Sequence, residues 1–505
     1  MPTTNDSQAT REFIDIVGEE HVITDPKLIE EAEASTYKSN QKVAAIVKPG
    51  DAIQVQEIVN IARRKKIPLY VYSTGKNWGY GSRAPRKSMS VLVDLSRMDK
   101  ILEYDEGLGY VTLEPGVTQK QLYEFLKSKN APYSLSTTGS APDTSIVGNI
   151  CERGVGKAPY GFRSHYVGSL EVLLPSGEFM HTGFGRFANS KVAKVYPEGI
   201  GPSFYDIFLQ SNYGIITKLT MFLAPMPKYS QIIDISIARD EDLPKYLQLL
   251  HTFNFFSASR KLIMFRKDLQ MLTLKTQYPW KAAKGKTPLS SDVIEQLKKQ
   301  YDINYAWKAV VLVYGYTQEE VAAQINYCKS LAKDIDGIVI TQLFSDNTMG
   351  DQPKNIGNTT YWRMKTKPPK VKNPDTDGCG LIRLSIAVPF TAENIGEVIE
   401  MMTNVVAEYK YEPFIEAHCI SERVVVVIAP IIFDRTQPGE DENALNCHDA
   451  LLKLLMSKGY YPYRDNGRAM SLFPSSSDSF DTFQKTIKNA IDPDGIFSPG
   501  RYEIE

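Results

Sequence analysis

The sequence predicts an α+β fold spread over two or three domains. A chain of 505 residues exceeds what one hydrophobic core organises. β-rich apolar runs alternate with amphipathic helical stretches from residue 44 onward. In the second half, strand–helix–strand pairs recur in a way that suits one antiparallel sheet with helices against it.

Composition narrows the function. The chain is 42% apolar and 23% charged, ordinary for a soluble globular protein. A net charge of −1 gives no reason to expect a nucleic-acid or anionic-membrane binder. The longest apolar run, Val424–Phe433, is strand-length, well short of the ~18 residues of a membrane span. The N-terminal stretch MPTTNDSQATREF is polar and has no leader character. Five scattered cysteines (Cys151, Cys328, Cys379, Cys419 and Cys447) form neither CxxC nor CxxCH, so reduced thiols and a cytoplasmic location are expected. Six histidines without HxH or HxxxH spacing argue against a metal site.

In order, Asp6–Val17 and Pro26–Ser35 read as helices, then residues 44–47 as a strand stopped by Pro49-Gly50. Ala52–Lys65 is a strongly amphipathic helix and Ile67–Tyr72 the next strand. It runs into Val71–Gly81, VYSTGKNWGYG, where Gly75, Gly79 and Gly81 sit among small polar residues. Such a loop is either a surface turn or a concave cradle of backbone N–H groups for a phosphate or pyrophosphate. It opens no GxGxxG helix, so the common dinucleotide fingerprint is absent. Ser90–Asp94 and Gly109–Pro115 are strands, and Thr118 caps a helix to Lys127. Residues 134–161 form a second small-residue, glycine-rich tract. Ile146, Val147 and Ile150 within it indicate a packed segment that wraps the same ligand. His165–Leu174 and Glu178–Thr182 make a hairpin around Pro175-Ser176-Gly177, Phe204–Gln210 is helical and Gly214–Leu223 a strand.

From about residue 229 the predicted strands are Gln231–Ile237, Leu262–Phe265, Ala309–Tyr316, Gly380–Val388 and Val424–Phe433. The helices are Leu243–Phe253, Asp292–Lys299, Glu319–Lys333, Thr391–Ala407 and Asn443–Lys458. The Lys/Pro-rich segment 365–378 reads as a solvated loop. A helix at Ser479–Ala490 precedes DPDGIFSPGRY, a turn-rich end able to return to the first domain.

Taken together, STGKNWGYG with RAP (73–85), LEPGVT (113–118), SIVGNICERGVG with PYG (145–161), QSNYGIITKL (210–219), DGCGLI (377–382) and DPDGIFSPGRY (492–502) give the chain a resemblance. It resembles the vanillyl-alcohol oxidase / p-cresol methylhydroxylase flavoproteins, over nearly its whole length and in family order. The resemblance implies an FAD domain from residues 1–228 completed by 471–505, and a substrate or cap domain from 229–470 with a large antiparallel sheet. It implies that Ser73, Thr74, Gly75, Lys76 and Asn77, with Gly79 in the same loop, cradle the pyrophosphate. Ser145, Gly148, Asn149 and Gly154 would line the flavin, Ile215 or Ile216 would lie near the adenine half, and Arg501 would sit beside the flavin. Small residues suit close backbone approach to an extended cofactor, and a fixed cation suits its anionic reduced form.

In the phenol-oxidising branch two tyrosines and an arginine hold the substrate as a phenolate; the matching positions are Tyr80, Tyr463 and Arg464. Two departures stand out. Where the branch places an aspartate, this chain has Ser140, with Asp143 three residues on as a possible substitute. Counting back from Phe433, the residue expected to link FAD covalently falls on Val427, and Lys76-Asn77 replaces the linking histidine of other branches. Dissociable FAD is therefore expected. Glu416 and His418 share one face of an alternating strand with Phe414, as an acid–base pair in the pocket or as a polar strand end. Arg383 stands where the family more often has an aromatic, either receiving a carboxylate or lying exposed on the cap. The implied activity is hydride removal from a para-substituted phenol or a similar electron-rich alcohol. The alternative is oxidation of a 2-hydroxy acid or a non-phenolic alcohol, and a non-catalytic flavin-binding protein ranks below both. The acceptor is O2 or a separate electron-acceptor protein, and a homo-oligomer is expected.

Overall fold

The helix Ala52–Lys65 sets the geometry of the first layer. Asp51 caps it by accepting the Gln54 N–H at 2.9 Å, and Val55, Ile58, Val59 and Ala62 are fully buried along one face. That face packs on a four-stranded sheet of β1 (Val22–Ile23), β2 (Val43–Val47), β3 (Leu69–Tyr72) and β4 (Ser90–Asp94), in the order β1-β2-β4-β3. β2 and β3 run parallel to β4, so the helix is the crossover between them. This computed structural model describes residues 4–156, 160–256, 261–333, 335–344, 359–473 and 478–503; Pro159 of the second glycine-rich tract lies outside the described residues.

The second sheet is antiparallel. It comprises β5 (Ile101–Asp105) and β6 (Tyr110–Leu113), and, beyond the short β7 (Tyr133–Ser134), β8 (Val167–Leu173), β9 (Phe179–His181) and β10 (Ile215–Phe222). Its order is β5-β6-β10-β8-β9, and β7 pairs with β11 (Ala224–Pro225). The glycine-rich tract is packed, as expected, and it contains a short helix, Ile146–Cys151, that composition hid. Ser145 caps it by accepting the Gly148 N–H at 2.8 Å, while Ile146, Val147 and Ile150 are buried. The predicted helix at 204–210 contracts to a single turn, Asp206–Phe208.

The chain end returns to the first sheet. The Leu69 N–H donates to the Ile496 carbonyl at 2.7 Å, and the Ser498 N–H to the Leu69 carbonyl at 2.8 Å. The buried Lys488 amine pins this return, donating to Asp492 at 2.7 Å and to the carbonyls of Asn212 and Phe497 at 3.0 and 3.2 Å.

The third sheet is the expected large antiparallel one. Its eight strands are β12 (Tyr229–Ile237), β13 (Lys261–Lys267), β14 (Trp307–Gly315), β15 (Ile338–Phe344), β16 (Cys379–Pro389), β17 (Glu416–Cys419), β18 (Val424–Asp434) and β19 (Pro462–Arg464), in the order β15-β12-β14-β13-β17-β18-β16-β19. Helices Leu243–Phe256, Gln318–Ala332, Ala392–Glu408 and Glu440–Ser457 cover one face. Strand alternation sorts the residues. Val425, Val427, Ala429 and Ile431 of β18 join the helix-side core, whereas Val426, Ile428 and Pro430 line a cavity on the other face. Likewise Ile382, Leu384 and Ile386 of β16 are core, and Leu381 and Arg383 face the cavity.

Two expectations change here. The helix Asp268–Lys275 and the three-residue β19 carry too little periodicity to be read from sequence, yet both bring residues to the cavity. The 365–378 loop is solvated only in part. Pro374 and Asp375 are buried, and Asp375 accepts Trp78 Nε1–H at 3.2 Å and Ser82 Oγ–H at 2.6 Å, tying the loop to the glycine-rich turn.

Candidate active site

An elongated cavity runs from the glycine-rich turn after β3, past the second glycine-rich tract, to the open face of the third sheet. Ser73, Thr74, Gly75, Lys76 and Asn77 form one wall. Gly75 adopts φ +69°, where an added Cβ would also strike the Arg83 stem at 2.5 Å. The two tracts are laced together: the Ser145 N–H donates to Thr74 Oγ1 at 3.1 Å, and a Cβ on Gly148 would meet Ser73 Oγ at 2.8 Å. Ser145, Gly148, Asn149, Ile215, Ile216 and Arg501 complete this half.

Three expected residues are not on the cavity wall. Gly79 packs its Cα against the Arg383 stem and accepts the Arg383 N–H at 3.1 Å, so it joins the loop to β16. Gly154 makes room for the Asn149 amide, which an added Cβ would strike at 2.1 Å. The Asp143 carboxylate is largely exposed and ion-pairs with Lys76, so it does not supply a carboxylate to the cavity in place of Ser140. Ser140 itself is on the wall, hydrogen-bonded to Thr138 Oγ1 at 2.9 Å and Thr144 Oγ1 at 2.6 Å.

The wall also carries buried polar atoms with no hydrogen-bond partner among the described residues: Ser211 Oγ, Gln270 Oε1 and Arg464 Nε. Buried polar groups are nearly always satisfied, so these ask for a polar ligand along the cavity's length. A glycine cradle, small hydroxyl residues and a buried arginine together fit a long anionic cofactor.

At the sheet face, Tyr80, Tyr463 and Arg464 come together as expected. The Tyr80 hydroxyl bonds Ser385 Oγ at 2.6 Å, and the Arg464 guanidinium lies over the Tyr80 ring, 4.3 Å from its centroid. Arg464 donates to Asn77 Oδ1 and stands 3.8 Å from Glu152, which also pairs with Arg501 and accepts the Tyr502 hydroxyl at 2.5 Å. Burial works against charge on Glu152, but the two arginines outweigh it and hold its carboxyl below the usual range. Two guanidiniums to one carboxylate leave this end net positive. Burial, with Tyr80 adding to it, pushes the Tyr463 phenol up against the pull of Arg464, so Tyr463 stays a neutral donor.

Register extends the site across the sheet. Arg266, Glu416, Ile428, Ser385 and Arg464 are successive cross-strand partners on β13, β17, β18, β16 and β19. At about 4.8 Å per strand this row spans roughly 19 Å. At its far end Arg266 Nε donates to Glu416 at 2.9 Å, Glu416 hydrogen-bonds His418, and Gln270 approaches Glu416 at 3.4 Å. Burial opposes the Glu416 charge, but His418 and Arg266 outweigh it and hold its carboxyl well below the usual range. Glu416 and His418 thus face the cavity, whereas Phe414 precedes the strand and is buried beside Trp362.

Sequence reasoning missed Glu152, Arg266, Gln270 and Ser385. Glu152 lay inside the quoted ICERG motif; the others carry no local signal, because only strand pairing brings them together. Val427 points into the helix-side core, and its cavity-facing neighbours, Val426 and Ile428, are equally unreactive.

A family model described as an FAD binding domain matches residues 43–183. The chain is 33% identical to the 1'-carboxy-chondrochloren decarboxylase of Chondromyces crocatus, covering 100% of this chain and 98% of that protein. It is 27% identical to the 4-cresol dehydrogenase [hydroxylating] flavoprotein subunit of Pseudomonas putida, covering 99% and 96%. A crystal structure of p-cresol methylhydroxylase with substrate bound superposes with a TM-score of 0.91 at 25% identity, covering 100% of this chain and 98% of that one.

Proposed function

Since the chain belongs to the vanillyl-alcohol oxidase / p-cresol methylhydroxylase family of FAD flavoproteins, we propose that it oxidises a para-substituted phenol or a similarly electron-rich aromatic alcohol. The observation that carries this reading is Arg464 over Tyr80, beside Tyr463, at one end of the cavity.

FAD, when bound, supplies the two-electron acceptor. Ser73–Asn77, Ser145, Gly148, Asn149, Ile215, Ile216 and Arg501 are the residues that would hold it. The remaining chemistry belongs to side chains. A phenol ordinarily ionises near pH 10. Arg464 favours the phenolate electrostatically, and neutral Tyr463, together with the Tyr80 hydroxyl, donates hydrogen bonds to it. A phenolate pushes electron density through the ring towards its para substituent, which weakens the C–H bond on the benzylic carbon attached there. Ile428 forms an apolar floor between the phenolate end and the Arg266–Glu416–His418 group, on which the substrate ring can rest. His418, paired with Glu416, is placed to exchange a proton at the polar end.

The cofactor is read as dissociable. Val426, Ile428 and Pro430 offer no nucleophile to it, Lys76 is engaged by Asp143, and burial pushes the Cys151 thiol up to about 12.

The test is the visible absorption of the purified, FAD-loaded protein under anaerobic conditions, titrated with 4-alkylphenols and 4-hydroxybenzyl alcohols. Bleaching supports the reading; a protein that takes up no FAD sinks it. Because one relative's name is that of a decarboxylase of a carboxy compound, acid-bearing phenols belong in the screen. The second reading, a 2-hydroxy acid or non-phenolic alcohol, rests on Arg383, and D-lactate bleaching the flavin where phenols do not would select it.

A further inference from the structure

Five lysine and arginine side chains among the described residues line the cavity, and four are engaged. Arg266 pairs with Glu416, Lys76 with Asp143, and Arg464 and Arg501 with Glu152. The fifth, Arg383, is half-buried, and its guanidinium makes no hydrogen bond or ion pair among the described residues. Taking a permanent cation partly out of water without a counter-charge is costly, and side chains left in that state commonly await an anionic ligand.

The backbone holds Arg383 in place. Its N–H donates to Gly79 O at 3.1 Å, and its stem lies on the Gly79 Cα so closely that a Cβ there would meet Cγ at 2.6 Å. Its cross-strand neighbour is Pro430, and Leu381 is the next cavity-facing residue along β16. Both are apolar, so the arginine is an isolated charge in an otherwise non-ionic stretch of wall. Two residues along β16 is Ser385, which bonds the Tyr80 hydroxyl. Residues two apart on one strand face are about 7 Å apart. That distance is close to the reach from a phenol oxygen across the ring to a group on the para carbon.

We propose that Arg383 is a specificity-determining residue that receives a carboxylate on the para substituent, so that the preferred substrates are phenols bearing an acid. The inference rests on the phenol reading above. A single unpaired guanidinium matches one carboxylate in charge and in planar two-point geometry, and a phosphate dianion would find no second free cation beside it.

The experiment measures dissociation constants on the FAD-loaded protein from the perturbation of flavin absorbance by two ligands, 4-hydroxybenzoate and 4-hydroxybenzamide. They differ in charge and hardly in shape, and neither has a benzylic hydrogen, so binding is read without turnover. Wild type is expected to bind the acid at least tenfold more tightly than the amide. Arg383→Gln is expected to bring the ratio of the two constants close to one, and Arg383→Lys to restore part of it. FAD retention, measured by fluorescence of the released flavin, is expected to match wild type in both variants. Amide binding without an acid preference in wild type, or a preference that survives Arg383→Gln, overturns the assignment and leaves the phenol reading standing. Failure of both ligands to bind overturns the two together. Weaker FAD retention in Arg383→Gln overturns it by assigning the arginine to the cofactor.

Discussion

The Arg464 guanidinium lies over the ring of Tyr80, 4.3 Å from its centroid, while the Tyr80 hydroxyl is held at 2.6 Å by Ser385, the cross-strand partner of Arg464. The pair is therefore fixed at both ends, and its charge points at one place in the cavity. Arg464→Ala is expected to lower kcat/KM for 4-alkylphenols by about 100-fold, the usual cost of removing one preorganised charge donor. Arg464→Lys recovers little, since an ammonium cannot stack and donate in a plane. Binding followed against pH is the discriminating readout: the ionisation of the bound phenol should move to higher pH in the alanine variant. A variant that turns over phenols normally removes the assignment.

The Arg266–Glu416–His418 group is mostly shielded, with side-chain exposures of 22%, 18% and 16%. Arg266→Met leaves a shielded carboxylate with one partner fewer and is expected to cost about 2 kcal/mol, below the full penalty of a dry ion pair. The sign of the pH dependence follows from the lowered ionisation of Glu416. Its contribution is present above the ordinary carboxylate range and is lost as pH falls below about 4. Thermal melts of wild type and variant should therefore differ near neutrality and converge in acid.

Asp375 shows the opposite sign. Burial pushes its carboxyl up to about 6, although Ser82 and Trp78 donate to it. Between about pH 4 and 6 the folded protein binds more protons here than the unfolded chain, so stability falls as pH rises through that window. The full effect is about 3 kcal/mol. Asp375→Asn is expected to flatten this part of the stability–pH curve, measured by urea unfolding at a series of pH values. An unchanged slope would show that the buried carboxyl is not the group titrating.

The proposal that FAD is dissociable has two consequences. Acid precipitation should leave the flavin in the supernatant, and the melting temperature of the apoprotein should rise with added FAD in proportion to the logarithm of its concentration. Flavin that stays with the pellet would contradict the reading.

Much of this was legible in the residues. The helix Ala52–Lys65 begins and ends where its apolar period places it. The two glycine-rich tracts, and the Tyr463 and Arg464 positions matched by the resemblance, mark residues that do line one cavity. Alternation along FIEAHCIS put Glu416 and His418 on one face, although Phe414 falls outside the strand. The family resemblance itself came from six motifs dispersed along the chain.

The sequence by itself determined the α+β class, the large antiparallel sheet and the glycine-rich loop that carries Tyr80, because local periodicity and glycine placement depend on neighbours along the chain. Tertiary structure alone decided which charges meet. Arg266, Glu416, Ser385 and Arg464 lie up to 198 positions apart (464 − 266) and share one row only through β-sheet register. Register is set by strands pairing at a distance, which local pattern does not encode. The same long-range pairing gives every other cavity cation a described partner, leaves Arg383 without one, and moves Gly79 from the cofactor wall to the joint beneath it.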